Sequence, residues 1–496
     1  MNKLSPTSVD AFVQAALRTW SPYQEAAFAF VTSGTGNLVL RAGAGSGKTT
    51  TGVEMTKRVT GSHIYLAFNK SIQVELEKRG VNARTFHSLA WSAVTRARNV
   101  RNANANKLRD IVDNWDGFDR PLYGSFVVKL VSLAKNAGIG CLVDDIEQAW
   151  DDLAAKHDVD LDHEDADYAT AIELARKLLQ LSNTHHECDF DDMLYFAVKN
   201  GIVLPKFDNV FVDEAQDTNA IQRAIIRKIM KDSSRLFAIG DPSQAIYGFR
   251  GADSDSIDLI AEEFSATRLP LTVSYRCGSE IVKYASKFGE IEAAPEAHTG
   301  SVHQLPTWKP EDFEAGNLVV SRCTAPLIVL AYQLLKARIP AYVMGREIGQ
   351  GLVNLIKKMN AEGIDNLITR LDEYTAREME KAIAKKQEAK AEAIQDKTDC
   401  ILFLIDSLVE TGRAVPALLT LIDDLFSNKS NAVILATIHK AKGLEADTVF
   451  WLNYDYVSKW ARQPWQKQQE VNLQYVAATR AKNELFLIRE KAKWSH

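Results

Sequence analysis

The sequence predicts an α/β protein built on parallel β-sheets. Short runs rich in Val, Ile, Leu and Phe recur along the chain, and stretches of helical character separate them. Runs that are apolar along their whole length are typical of strands buried on both faces of a parallel sheet. The predicted strands are Leu38–Arg41, His63–Phe68, Val210–Asp213, Leu236–Gly240, Leu318–Ser321, Val433–Thr437, Val449–Leu452 and Leu485–Ile488.

Two long stretches, at about 91–188 and 355–428, interrupt this pattern and are predicted to be mainly helical. The second contains a run rich in Ala, Glu and Lys at 378–393. Such a composition favours a solvated helix over a binding surface. The chain of 496 residues has room for about three or four domains of typical size.

Composition limits the classes of function. The formal net charge of -5 argues against charge-driven coating of nucleic acid, but it leaves room for a basic groove. The amino-terminal segment has the pattern of neither a secretion signal nor a membrane span, so we expect a cytoplasmic protein that contacts no membrane. Association with the nucleoid, or action in a phage-infected cell, is compatible with this expectation. The five cysteines form no CxxC pair and are predicted to be free thiols.

A glycine-rich turn follows the first predicted strand and should open a helix. Small residues let backbone N–H groups approach phosphates, Lys48 reaches the β- and γ-phosphates, and the Thr49 hydroxyl can bind Mg²⁺. A chance glycine-rich turn is the alternative, but the apolar strand before it favours a phosphate-binding loop. Ala42 stands where the strict pattern has glycine. The predicted nucleotide-binding residues are Gly43, Ala44, Gly45, Ser46, Gly47, Lys48, Thr49 and Thr50.

A second apolar strand ends in two carboxylates, Asp213 and Glu214. In ATPase sites an Asp at a strand end holds Mg²⁺, and a neighbouring carboxylate orients and deprotonates the attacking water. A carboxylate pair at a strand end can also be a surface feature. With a phosphate-binding loop upstream, the pair instead predicts a hydrolysis site in which Thr49 and Asp213 bind the metal.

The strings VDEAQD at 212–217 and IGDPSQAIYGFRGA at 239–252 resemble the UvrD/Rep helicases of superfamily 1. Further matches follow in the family's order: WSPYQ at 20–24, AFNK at 67–70, TFHSL at 85–89, SYRC at 274–277, TIHKAKGLE at 437–445 and YVAATRAK at 475–482. The phosphate-binding loop alone indicates only an NTPase. The ordered set is much more specific and reaches both ends of the chain.

The resemblance implies how ATP is contacted. Gln24 would read the adenine edge, Tyr275 would stack on the adenine ring, and Glu445 would bind the ribose. Gln244 would sense the γ-phosphate. Two arginines of the second motor domain would reach that phosphate and supply positive charge in the transition state. The implied catalytic set is therefore Lys48, Asp213, Glu214, Gln244, Arg276 and Arg480.

The resemblance also implies DNA contacts. Tyr247 and Phe249 would stack on bases, which tolerates any base sequence, and core packing is the alternative for Phe249. Arg250 would make a structural or phosphate contact. The other residues would contact mainly the DNA backbone. The implied DNA-binding residues are Phe68, Asn69, Thr85, His87, Tyr247, Phe249, Arg250, Thr437 and His439.

Three positions depart from the family's pattern. The chain has Ala67-Phe68-Asn69-Lys70 where Phe-Thr-Asn-Lys is usual, so the aromatic residue has moved by one place. Ser274 stands where Asn is common, and Asn472 where Arg is common. Neither of the last two changes removes a catalytic group.

The implied architecture has two RecA-like parallel-sheet domains with the P-loop NTPase fold. The predicted domains are the first RecA-like domain at 1–90 and 189–265, its helical insertion at 91–188, the second RecA-like domain at 266–354 and 429–496, and its short helical insertion at 355–428. The implied activity is ATP- and Mg²⁺-dependent unwinding of duplex DNA by a monomer moving three-prime to five-prime on single-stranded DNA.

Alternatives remain open. The same motifs fit a single-stranded DNA translocase that displaces bound proteins and unwinds little duplex. An NTPase acting on RNA is a third reading, and the family resemblance favours DNA over it. Single-stranded DNA and its junctions with duplex are the expected ligands, and single-strand-binding, replication or repair proteins are candidate partners. The pathway, whether repair, replication or recombination, is open.

Overall fold

In the computed structural model, the first half of the chain builds a six-stranded sheet. The structure describes residues 19–489, except 158, 160, 162–164, 249, 250, 252–254, 385–387, 409–413, 459, 460 and 462. The strands are β1 Leu38–Ala42, β2 His63–Ala67, β3 Ala83–Thr85, β4 Phe207–Val212, β5 Met230–Gly240 and β6 Thr267–Leu271. Their order is β3-β2-β4-β5-β1-β6, and neighbouring strands run parallel. Because β6 pairs with β1, the first sheet extends past the predicted boundary at residue 265.

Helices surround this sheet and fill the long stretch between β3 and β4. Several begin at polar N-caps whose side chains accept backbone N–H groups of the first turn; Ser21 and Asp189 do so within capping boxes. The helices are α1 Pro22–Ser33, α2 Lys48–Thr56, α3 Lys70–Lys78, α4 Phe86–Arg98, α5 Lys107–Asp113, α6 Arg120–Ala137, α7 Glu147–Lys156, α8 Tyr168–Thr184, α9 Phe190–Lys199, α10 Ala220–Ile229 and α11 Ser256–Glu263.

The inserted helices share a hydrophobic core with one face of the first sheet. Because side chains alternate along a strand, Val39 packs into the cluster that contains Val127 and Trp150 of the inserted helices. Its neighbours Leu38 and Leu40 pack on the opposite face. The insertion is therefore attached to the sheet through a continuous core, and α4 crosses the predicted boundary at residue 90.

A buried ionic cluster lies where the chain returns from the insertion to the sheet. The Lys107 Nζ is 2.6 Å from the Asp192 Oδ2, and the Lys135 Nζ is 2.7 Å from both the Asp189 Oδ2 and the Asp192 Oδ1. Burial of one unpaired charge would be costly, so the cluster holds α5, α6 and α9 in one arrangement.

The second half of the chain builds another six-stranded parallel sheet. A short pair, β7 Val273–Ser274 and β8 Glu292–Ala293, precedes it. The strands of the sheet are β9 Ser301–Leu305, β10 Leu318–Ser321, β11 Ala341–Val343, β12 Val433–Thr437, β13 Ala446–Leu452 and β14 Ala481–Ile488, in the order β11-β12-β10-β13-β14-β9. The helices are α12 Ser279–Ala285, α13 Ala325–Lys336, α14 Arg346–Met359, α15 Ile364–Ala384, α16 Glu388–Ser407, α17 Val415–Phe426, α18 Ile438–Ala441 and α19 Pro464–Ala478.

The second sheet also has a core on each face. One core joins the sheet to α14 through α17, the helices between β11 and β12. The other joins it to α12 and α19, and it includes Ala44 and Ile246 from the first half of the chain. The two sheets are thus RecA-like α/β units that meet beside the phosphate-binding loop. Among the described residues, every helix is too short or too polar to cross a membrane.

Candidate nucleotide and nucleic-acid sites

The glycine-rich turn connects β1 to α2 and has the shape of a phosphate-binding loop. Gly45 and Gly47 have φ values of +72° and +76°, in the left-handed region that favours glycine. A Cβ on Gly45 would lie 2.5 Å from the Arg276 Cβ, so the loop also needs glycine for close approach. Lys48, Thr49 and Thr50 form the first turn of α2.

The polar groups of this turn fit a triphosphate. The Ser46 Oγ and the Ser274 Oγ are buried and have no hydrogen-bond partner among the described residues. Buried hydroxyl groups are normally hydrogen-bonded, so a polar ligand would satisfy both. Together with the N-terminus of α2 and the Lys48 ammonium, they form a donor set suited to phosphate oxygens.

Four charged groups gather at the carboxyl ends of β4 and β5. The Lys48 Nζ is 3.3 Å from the Glu214 Oε2. Burial acts to lower the pKa of Lys48, but Glu214, Asp241 and Asp213 together raise it above its ordinary value. Burial and the adjacent Glu214 raise the pKa of Asp213, whereas Lys48 and Lys442 outweigh burial and lower the pKa of Glu214 to about 2. Glu214 therefore ionises more readily than Asp213.

Gln216 links the carboxylate pair to the next strand. Its Nε2 donates to the Glu214 Oε2, and its Oε1 accepts the Asp241 N–H at 2.9 Å. Glu214 itself has a φ of +49°, a left-handed conformation that is uncommon outside glycine and often occurs at functional sites. The side-chain amide thus holds the predicted base in an unusual backbone position.

Gln244 lies in a single 3₁₀ turn, Pro242–Gln244, directly after β5. Its Nε2 donates to the Asp241 Oδ2 at 2.6 Å, and its carbonyl oxygen accepts from the Lys442 Nζ at 2.7 Å. The same Lys442 Nζ is 2.6 Å from the Asp217 Oδ2 and 4.7 Å from the centre of the Tyr247 ring. One lysine of the second half of the chain therefore contacts two segments of the first half, one at Asp217 and one from Gln244 to Tyr247.

The second half of the chain places two arginines, Arg276 and Arg480, near the phosphate-binding loop. The Arg276 Nε is 2.6 Å from the Glu445 Oε2, and the Lys482 Nζ is 2.9 Å from the Glu445 Oε1. These bonds outweigh burial and lower the pKa of Glu445. The residues predicted to bind the ribose and the γ-phosphate are thus paired with each other.

Arg480 is almost fully buried, and within the described part of the chain no carboxylate pairs with it. Its guanidinium instead donates to the Val476 and Leu444 carbonyl oxygens at 2.9 and 3.0 Å and to the Thr479 Oγ at 3.1 Å. Burial, and then the positive charge of Arg276, lower the pKa of Arg480 to about 10. A buried cation held only by neutral groups would be stabilised by an anion.

Gln24 and Tyr275 both lie beside the phosphate-binding loop: a Cβ on Gly47 would lie 3.6 Å from the Gln24 Nε2, and the Tyr275 N–H donates to the Gly45 carbonyl oxygen at 2.9 Å. The Gln24 Nε2 donates to the Thr51 Oγ at 2.9 Å, and its Oε1 accepts the Ser21 N–H within the capping box of α1. An amide nitrogen has two hydrogens, so one can still be donated to adenine. The Tyr275 ring is 52% exposed and can stack on a base.

A second cleft, of about 840 Å³, opens between the first sheet and the inserted helices. At its motor-domain side the Phe68 and Tyr247 rings are stacked, with centroids 5.9 Å apart and planes inclined by 9°. Its opposite side includes Arg109, Arg120 and Lys129 of α5 and α6. The shifted aromatic residue at position 68 therefore still reaches the predicted stacking residue.

The remaining predicted DNA contacts lie where strands end and helices begin. Asn69, Thr85 and Thr437 are the N-caps of α3, α4 and α18, and each side chain accepts a backbone N–H of the following helix. His87 lines the cleft, and burial lowers its pKa despite the nearby Asp191. His439 lies in the short α18. Backbone N–H groups at helix starts are common phosphate contacts in protein–DNA interfaces.

Comparison with known families agrees with this geometry. Residues 51–265 match the UvrD/REP helicase N-terminal domain, and residues 347–492 match the UvrD-like helicase C-terminal domain. The chain belongs to the UvrD/Rep helicase family. The two matches fall on the two RecA-like units and their insertions.

Individual UvrD/Rep relatives align with parts of the chain. F-box DNA helicase protein 1 of Schizosaccharomyces pombe is 27% identical over 309 residues, which are 58% of this chain and 34% of that protein. A probable DNA helicase II homolog of Mycoplasma pneumoniae is 28% identical over 301 residues, 52% of this chain and 40% of its own. DNA helicase II of Escherichia coli is 40% identical over 82 residues, which are 16% of this chain and 11% of that protein. The chain thus spans less than half the length of these relatives.

In this UvrD/Rep member, the described residues that were predicted to bind the nucleotide lie near the interface of the two units, and Phe68, His87 and Tyr247 line one cleft. Phe249 and Arg250 lie outside the described residues. Sequence reasoning assigned no role to Lys442, although it lies inside a quoted motif. It also missed Tyr475, whose hydroxyl accepts the Ala44 N–H at 2.9 Å across the interface. No spacing rule would have identified either contact, because both join segments hundreds of residues apart.

Proposed function

We propose that this protein is an ATP-dependent DNA helicase that moves three-prime to five-prime along single-stranded DNA and unwinds duplex. ATP would bind between the two RecA-like units. The supporting observation is that one connected set of side chains joins the phosphate-binding loop to the aromatic pair of the second cleft. Family membership supports DNA as the track, and the polarity rests on the resemblance of the motifs.

The chemistry follows from the charges of the site. Lys48, Arg276 and Arg480 would surround the terminal phosphate with positive charge where the transition state becomes more negative. The ionised Glu214 would orient the attacking water and accept its proton. Thr49 and Asp213 would hold Mg²⁺, and the bound ion would supply positive charge that offsets the charge of the phosphates.

Coupling between ATP and DNA would run through a short segment. Gln244 faces the phosphate side, Tyr247 faces the cleft, and Lys442 contacts the Gln244 carbonyl and the Tyr247 ring. A change in the distance between the two units would therefore move both sites together. ATP binding would close the nucleotide cleft and hydrolysis would let it open, while the aromatic residues alternately hold and release bases.

We further propose that the protein acts as a monomer on single-stranded DNA and its junctions with duplex, and that single-strand-binding, replication or repair proteins are its candidate partners. The second candidate function is translocation that displaces bound proteins with little unwinding. The same motifs fit both functions, and the experiment below separates them.

The deciding experiment compares ATP hydrolysis with single-stranded DNA, RNA and duplex DNA, followed by unwinding of tailed duplexes. We expect stimulation by single-stranded DNA and opening of a duplex with a three-prime tail. Equal stimulation by RNA would contradict the choice of DNA, and efficient opening of a duplex with only a five-prime tail would contradict the polarity. Displacement of a bound protein without opening of bare duplex would favour the translocase.

A further inference from the structure

Helix α19 of the second unit lies against the first unit along much of its length. Near its start, the Trp465 ring packs on Gly248, where a Cβ would lie 3.1 Å from the Trp465 ring carbons. Near its end, the Tyr475 hydroxyl accepts the Ala44 N–H at 2.9 Å. One rigid helix thus contacts the segment next to the aromatic pair and, further along, the phosphate-binding loop.

Asn472 lies between these two contacts and binds the turn that carries Gln244. The Asn472 Nδ2 donates to the Ala245 carbonyl oxygen at 2.9 Å and to the Pro242 carbonyl oxygen at 3.2 Å. The Asn472 Oδ1 accepts from the Gln468 Nε2 at 3.0 Å, so the amide group presents its nitrogen to the turn. The residue is 3% exposed, and its polar atoms are all hydrogen-bonded.

We propose that Asn472 is a positioning residue that couples the second RecA-like unit to Gln244. Its two hydrogen bonds bracket the turn Pro242–Gln244, so any movement of α19 is transmitted to the residue that faces the γ-phosphate. The proposal rests on the proposed function and adds a route for the coupling. The Asn472 side chain contacts Gln468 and the carbonyl oxygens of Pro242 and Ala245, so it acts through the turn.

Replacement of the amide by a carboxylate isolates this role. Asn472→Asp keeps the size of the side chain but removes both donors and places negative charge against two carbonyl oxygens. Asn472→Gln keeps the donor on a longer side chain and serves as the conservative variant. The matched control is Gln474→Glu, which makes the same chemical change two residues further along α19, on the opposite side of the helix.

The experiment measures kcat and KM for ATP at saturating oligothymidylate, together with base pairs opened per ATP and the melting temperature. For Asn472→Asp we expect kcat to fall tenfold or more and KM to change less than threefold, because the phosphate-binding loop is intact. Base pairs opened per ATP should fall as well. Asn472→Gln should recover at least a third of kcat, and Gln474→Glu should match the parent.

A parent protein that single-stranded DNA does not stimulate would overturn the proposed function. If single-stranded DNA stimulates ATP hydrolysis equally in the parent and in Asn472→Asp, the coupling role of Asn472 is overturned but the proposed function is not. The role is also overturned if Asn472→Asp and Asn472→Gln both melt well below the parent, or if KM rises with kcat unchanged. Those results would mean that Asn472 only stabilises the fold or the nucleotide pocket.

Discussion

Removal of the Phe68 ring should weaken the binding of single-stranded DNA and leave the salt dependence of that binding unchanged. Phe68 is 36% exposed and stacks on Tyr247 at the mouth of the second cleft. A side chain this exposed leaves no core cavity when it is shortened, so Phe68→Ala should fold and melt nearly as the parent does. Its effect on DNA can then be measured separately from stability.

The expected magnitude follows from two stacking energies. A base that stacks on an aromatic ring gains about 1–3 kcal/mol, whereas the ring pair it disturbs is worth about 0.5–1.5 kcal/mol. We take about 2 kcal/mol for the base stacking that is lost and about 1 kcal/mol for the ring pair that no longer has to be disturbed. Removal of Phe68 should therefore weaken DNA binding by about 1 kcal/mol. This corresponds to an approximately fivefold increase in Kd. Phosphate contacts remain, so the slope of log Kd against log salt should not change.

Fluorescence anisotropy with labelled oligothymidylate over a series of salt concentrations tests this reasoning. The matched control is Phe190→Ala, since Phe190 is 55% exposed and does not line the cleft. Lys129→Gln, inside the cleft, should instead lower the salt slope by about 1 if Lys129 contacts a phosphate. An unchanged Kd for Phe68→Ala, or a reduced salt slope, would refute base stacking at this position.

Further variants test the nucleotide site. Lys48→Ala should abolish ATP hydrolysis with little loss of stability, and near-normal turnover would rule out the phosphate role. Glu214→Gln should bind ATP but hydrolyse it about 10²- to 10⁴-fold more slowly, as measured by single-turnover kinetics. Arg480→Ala should lower kcat by about 10³-fold or more with a smaller effect on the Kd for ATP, and the reverse pattern would contradict its catalytic role. Lys442→Met should reduce base pairs opened per ATP more than it reduces ATP binding, and equal losses would argue against coupling.

The strand predictions succeeded where strands are buried and failed at the sheet edges. All eight predicted runs overlap observed strands. Four strands of the two six-stranded sheets were not predicted. They are the edge strands of those sheets: β3, β6, β9 and β11. Three of these edge strands, β3, β6 and β9, carry polar residues, and β11 is an apolar run of only three residues, so none has the longer continuous apolar run of a central strand. β6 even contains Pro270, which an edge position tolerates.

Site prediction had a different limit. Motif residues such as Lys48 and Glu214 could be placed because their chemistry requires a fixed spacing from a strand end. Lys442 and Asn472 contact the first unit through the relative placement of two sheets, which local sequence does not encode. The domain boundaries and most residue roles stay predictions until variants test them.

Hydrogen bonds beside the nucleotide cleft join the two RecA-like units. The hydrogen bonds that join their facing segments include one from Tyr475, two from Asn472 and two from the Lys442 ammonium. Neutral hydrogen bonds contribute about 0.5–1.5 kcal/mol each and charged ones about 1.5–3 kcal/mol, so these five together are worth about 5–10 kcal/mol. A ligand shifts an equilibrium only by its differential affinity for the two states. If Arg276 and Arg480 contact the γ-phosphate as proposed, that phosphate would supply charged bonds of the same order, and its loss would then release the interface.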